Sequence, residues 1–184
     1  MTESKAEETK QGLKKTRTGE RNEMADMRKA FEEVRNMLSG EQSGHGFDHV
    51  ERVYRLALEL AEKEGADKEI VGLAALLHDA AKELPKDEMR AIMQAHPEYA
   101  QGGEARPTPV WHGICAAILA RTEWGVTDEA VLSAIACHTA GKAGMTQLDK
   151  ILYLADMTSA ERDWPGVEKL RKLEMKDLDA AMLA

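Results

Sequence analysis

Six histidines are spread along the chain: His45, His49, His78, His96, His112 and His138. The pair His78-Asp79 follows the apolar run VGLAALL. An imidazole and a carboxylate at the end of so apolar a stretch are costly unless they pair as a salt-bridged helix cap or bind something. His49 stands near the start of one helical stretch, His112 opens another, His138 closes a third, and Asp156 sits inside the apolar segment ILYLADM. One shared polar cluster would satisfy all of these groups at once. Imidazoles and carboxylates without thiolates suit a transition metal such as iron, manganese, zinc or nickel. No serine or cysteine nucleophile motif accompanies them, which argues against covalent acyl chemistry.

Helices must gather such a cluster, and the 3.6-residue period dominates the sequence. Met24, Met27, Phe31, Val34 and Leu38 alternate at three- and four-residue steps, with Gly40 as a stop. Residues 41–47 read as a glycine-containing loop. Asp48 is then the expected N-cap of a helix carrying Val50, Val53, Tyr54, Ala57, Leu60 and Ala61 and ended by Gly65. Asp67 caps a helix over residues 70–79, apolar nearly all round and so expected at the centre. Pro85 suits the first turn of a short helix reaching residue 94. Residues 96–110 read as an irregular loop, and 111–123 as a helix. A further helix starts at Thr127-Asp128-Glu129 and runs to His138. TAGKAG is a loop, and Thr146 with Asp149 forms a capping box for a helix over 147–159. After the break at Trp164-Pro165 a final helix spans 167–183. The expected fold is therefore all-α, a single domain of about eight helices over residues 22–184, preceded by a disordered tail over 1–21.

Composition narrows the partners. The 184 residues carry 33 acidic against 25 basic side chains, a formal charge of −8, and 43% are apolar. So acidic a chain is not built for a broad grip on nucleic acid, which needs a basic face. A small phosphorylated ligand is compatible with it if local cations overcome the field. No stretch reaches the roughly 18 apolar residues of a membrane span, and the polar first residues contain no secretory core, so a cytoplasmic protein is expected. Cys115 and Cys137 are too few for a disulfide framework or a thiolate zinc site.

His49, His78-Asp79 and Asp156 resemble the H…HD…D pattern of the HD-domain metallophosphohydrolases, and GHGFDHVERV around His49 looks like that superfamily in general. HDAAKELP, WHG, CHTAGKAGMTQLDKILYLADM and ERDWPGVEKLR extend the likeness over about residues 45–180. In these segments the chain is similar to the bacterial symmetrical diadenosine tetraphosphate hydrolases, the YqeK-type branch. That family usually continues beyond the position of Ala184, so a wall of the pocket or of a dimer interface is expected to lie there.

The resemblance implies that His49, His78, Asp79 and Asp156 bind a divalent or trivalent transition metal. Iron is the implied metal, with manganese or cobalt as alternatives and no organic cofactor. Two nitrogens and two carboxylates leave open positions for water and a phosphate oxygen, and Asp79 is placed to hold or deprotonate that water. It also implies a nucleotide substrate, with no nucleic acid or membrane as partner, and allows a homodimer. His112 and His138 bind a second metal in related HD enzymes; here they are expected to face the phosphates, donating hydrogen bonds or protonating the leaving group. Thr139 and the glycines of TAGKAG are candidates for a phosphate cradle, or form an ordinary turn. Lys82, four residues after His78, neutralises a phosphate or is a surface lysine. Arg162 clamps a phosphate, or pairs with Asp163 or Glu161. His45 is not expected to be a ligand, His96 is expected at the surface, and Asp149 is explained by its capping box. The expected reaction is symmetrical hydrolysis of diadenosine tetraphosphate to two ADP. A nucleotidase or nucleoside-triphosphate phosphohydrolase, and a non-catalytic nucleotide-binding module, are the other readings.

Overall fold

A computed structural model describes residues 46–184 except residue 101, with side chains from residue 48 onward. The chain runs α1 (Gly46–Glu64), α2 (Lys68–Leu77), α3 (Lys86–Ala95), α4 (Pro97–Ala100), α5 (Trp111–Thr122), α6 (Glu129–Cys137), α7 (Gln147–Thr158), α8 (Val167–Glu174) and α9 (Leu178–Met182). The described residues contain no strand, so the all-α expectation holds. The tail over 1–21, the helix over 24–38 and His45 lie outside the described residues. None of the described helices is long and apolar enough to cross a membrane.

The apolar helix α2 sits at the centre. Ala74, Ala75, Leu76 and Leu77 are completely buried. Each of the two leucines contributes roughly 1.5–3 kcal/mol by leaving water. Helix α2 packs on α1 and α6, and α7 closes the ring by packing on both of these. Val50, Val53, Ala57 and Leu60 face inward from α1, and Ile151, Leu152 and Leu154 from α7. The expected cap at Asp67 is present, its carboxylate accepting from Glu69 N and Ile70 N; at the Thr127-Asp128-Glu129 start it is Asp128 that caps, accepting from Ala130 N and Val131 N. Both hydrogen bonds of the Thr146–Asp149 capping box form.

Five local expectations need correction. Helix α1 begins at Gly46, so Asp48 lies in its first turn rather than at its cap. Its charge there still favours the helix dipole. Residues 96–110 hold α4 and two 3-10 turns, Gly103–Ala105 and Thr108–Val110. His96 is half-buried and stacks on Tyr99. The final helix is broken in two, because Asp177 adopts an extended backbone and caps α9 by accepting from Ala180 N. Helix α2 stops at Leu77, and the chain continues in single turns, Ala80 N to Leu77 O and Lys82 N to Asp79 O. That last turn, rather than a continued helix, brings Lys82 to the site.

Candidate metal centre

Five helices deliver polar side chains to one point. His49 comes from the first turn of α1, His78 and Asp79 from the end of α2, His112 from the start of α5, His138 from the end of α6 and Asp156 from the last turn of α7. Gly113 makes the approach of α5 possible. A Cβ there would meet Ile135 O at 3.0 Å and the His138 ring at 3.2 Å.

Three rings are fixed through Nδ1. His78 Nδ1 lies 2.7 Å from Ala75 O, and His138 Nδ1 lies 2.8 Å from Ile135 O. The last carbonyls of a helix have no intrahelical donor. A histidine just past the end can therefore fold back and donate to one of them. His49 Nδ1 instead meets the carboxylate of Glu161. In each ring the Nδ1 proton is used, and Nε2 turns its lone pair inward.

Those lone pairs face carboxylate oxygens. His49 Nε2 lies 3.0 Å from Asp156 Oδ1 and 3.5 Å from Asp79 Oδ2. His78 Nε2 lies 3.4 Å from Asp79 Oδ2. His112 Nε2 and His138 Nε2 lie 3.3 Å and 3.4 Å from Asp79 Oδ1. Acceptor facing acceptor at such distances is repulsive unless a proton or a cation stands between. His49 Nε2, His78 Nε2 and Asp79 Oδ1 are buried and complete no hydrogen bond. The site thus fits a divalent cation, and its donor set of imidazole and carboxylate is that of a transition metal.

Asp79 joins two overlapping groups of donor atoms: His49, His78 and Asp79, and then Asp79, His112 and His138. Within each group the atoms lie within 4.8 Å of one another. Asp156 joins the first group through His49.

The charges are correspondingly displaced. Burial would raise the Asp79 carboxyl, but His78, His112 and His138 hold it well below the usual carboxylate range. Burial opposes the charged form of Asp156 too, yet His49, His78 and His138 bring it down. Burial depresses His49, while the nearby carboxylates of Asp156, Glu161 and Asp79 outweigh this and raise it. The Glu161 carboxyl is lowered, its burial being outweighed by His49 and Ser159.

Cations stand at the rim. Lys82 Nζ lies 2.5 Å from Asp79 Oδ2. Arg162 pairs with neither Asp163 nor Glu161. Its Nη2 donates to Asp156 Oδ1 at 2.7 Å and its Nε to Asp156 O at 3.0 Å. Thr139 is exposed, with Oγ1 3.2 Å from His112 Nε2 and 3.1 Å from His138 Nε2. The Gly141 amide is spent on Cys137 O, which closes α6 with a left-handed glycine, so it is not part of a phosphate cradle. Asp149 does more than cap α7. Its carboxylate also lies 2.9 Å from Lys142 Nζ, tying down the loop that follows His138.

Two residues emerge from the structure alone. Glu161, offered by the sequence only as a partner for Arg162, lies 112 positions from His49 and meets its Nδ1. Arg171 reaches back from α8 to the carbonyls of Thr158, Ser159 and Arg162 at 2.7–2.8 Å and fixes the turn that carries Glu161.

A helical bundle with H…HD…D side chains converging on one point has the architecture of an HD domain. The HD domain family matches residues 46–161, and the chain belongs to it. Among its relatives is the symmetrical bis(5'-nucleosyl)-tetraphosphatase of Bacillus subtilis, 39% identical over 152 residues, which cover 83% of this chain and 81% of that protein. A second of the same name, from Halalkalibacterium halodurans, is 37% identical over 143 residues, covering 76% and 74%. A crystal structure of a predicted HD superfamily hydrolase involved in NAD metabolism, from Clostridium acetobutylicum, superposes with a TM-score of 0.76 at 34% identity, over 84% of this chain and 80% of that one.

Proposed function

We propose that the chain hydrolyses dinucleoside tetraphosphates symmetrically, diadenosine tetraphosphate giving two ADP. The observation that carries this reading is the inward-facing set of lone pairs on His49, His78, Asp79 and Asp156. The 39% identity to a protein named for that reaction supports it. These four residues are the proposed holders of the ion, with iron as its identity and manganese or cobalt as substitutes. When bound, such an ion supplies a Lewis acid for the phosphoryl group and lowers the pKa of a coordinated water.

The remaining chemistry belongs to the side chains. Asp79 turns Oδ1 toward the His112–His138 side, where it can orient a water or accept its proton. Lys82 and Arg162 supply positive charge at the rim, and Arg162 keeps Nη1 for a phosphate oxygen while its other nitrogens hold Asp156. This local charge offsets the −8 of the chain as a whole. His112, His138 and Thr139 form the phosphate-facing wall. Nδ1 of His138 is committed to Ile135 O, so any proton it gives to the departing ADP leaves from Nε2. Attack beside the central bridging oxygen releases ADP on both sides.

A specific observation also favours a second ion, held by Asp79, His112 and His138, since these three form a donor group of their own. The main reading is tested by incubating the metal-loaded full chain with diadenosine tetraphosphate and resolving the nucleotides by ion-exchange chromatography. The expected product is ADP alone, two per substrate. ATP together with AMP would reject symmetrical cleavage.

A further inference from the structure

We propose that Glu161 is a positioning residue of the metal centre: it holds the Nδ1 proton of His49, so that Nε2 is the donor atom, and thereby sets how tightly the ion is bound. The inference rests on the metal-dependent reading above and adds to it a residue outside the four proposed ligands.

The need for such a residue follows from where His49 stands. His78 and His138 follow the C-terminal ends of their helices, where free carbonyls are at hand. His49 is in the first turn of α1, and the unsatisfied groups at that end of a helix are N–H donors. The acceptor for its Nδ1 proton comes from another element. Glu161 supplies it from the turn after α7.

That turn is built to hold the carboxylate still. Ser159 Oγ donates to Glu161 Oε1 at 2.8 Å, and Arg52 Nη1 stands 3.9 Å from Oε2. Arg171 pins the carbonyls on either side of Glu161, those of Ser159 at 2.7 Å and Arg162 at 2.8 Å. The same turn carries Arg162, which holds Asp156. One short segment therefore orients two of the proposed ligands from behind. A carboxylate does this differently from the carbonyls behind His78 and His138. Its negative charge makes Nε2 a stronger donor and partly offsets the charge of the ion.

The test uses the full chain stripped with EDTA and titrated with Mn2+, free ion being read by electron paramagnetic resonance. Glu161→Gln keeps the size of the side chain and removes its charge. Its Mn2+ dissociation constant is expected to rise about 10- to 100-fold, with the circular dichroism and melting of the metal-free protein unchanged. Ser159→Ala, which leaves the carboxylate but removes its hydroxyl anchor, is expected to weaken Mn2+ binding by a smaller factor. The 15N signals of the His49 ring provide a readout that does not depend on metal. Wild-type protein is expected to show the Nδ1–H tautomer, and the Glu161→Gln ring a mixture. Unchanged Mn2+ affinity in Glu161→Gln beside a wild type that binds normally overturns the inference alone. A wild type that binds no Mn2+ overturns the metal-dependent reading, and the inference with it.

Discussion

Asp79→Asn is expected to lower tetraphosphate hydrolysis about a thousandfold or more and to leave the purified protein depleted of metal. No other carboxylate in the site touches as many partners. One oxygen faces His49, His78 and Lys82, the other His112 and His138. The amide keeps the volume of the side chain but has one acceptor and no charge. It cannot meet imidazole lone pairs on both sides, nor serve as a base. Nucleotide release and metal content, measured on the same preparation, check both parts.

Asp79→Asn also carries a pH signature in the metal-free protein. The folded pKa of Asp79 lies well below its ordinary value, held there against burial by His78, His112 and His138. A carboxylate depressed in this way contributes stability that is fully present above its unfolded pKa, about 3.9, and is lost as the pH falls through the folded value. Asparagine resembles the protonated carboxyl at every pH. The wild type is therefore expected to melt higher than the variant from about pH 4 upward, and the gap to close as the pH falls further. A gap that widens toward acid would contradict the charge assignment.

His138→Gln is expected to lower kcat by about 100- to 10,000-fold while leaving the amount of bound metal unchanged. His138 is almost completely buried, its Nδ1 is committed to Ile135 O, and Nε2 lies 3.1 Å from both His112 Nε2 and Thr139 Oγ1. Glutamine can replace a hydrogen bond there, but it cannot deliver a proton. The pairing of a large loss in kcat with intact metal content sets the phosphate-facing role apart from the second-ion alternative. Under that alternative, kcat and metal content fall together, with one of two equivalents lost. Steady-state kinetics and elemental analysis of the variant decide between them.

The parts of this architecture that were legible in the sequence are those encoded locally. The burial of α2 follows from VGLAALL, and two capping side chains, Asp67 and Thr146, do what their positions suggest. The convergence of His49, His78, Asp79, His112, His138 and Asp156 was inferred from polar groups that burial would otherwise leave unpaired. What could not be read are the contacts made across the fold. The Glu161–His49 pair and the Arg171 clamp join residues with no periodic relation, and no spacing rule announces them. The break before α9 depends on a single aspartate preferring an extended backbone, which the apolar pattern on either side of it conceals. Lys82 was matched to the site by helical spacing, yet it arrives by a non-helical turn and on Asp79 rather than beside His78.

The most direct measurement is an anomalous-difference map from crystals of the metal-loaded chain, collected on either side of the absorption edge of the bound metal. A peak bonded to His49 Nε2, His78 Nε2 and the carboxylates of Asp79 and Asp156 is the predicted result. A fully active protein whose only anomalous peak lies elsewhere, or which shows none, would contradict it.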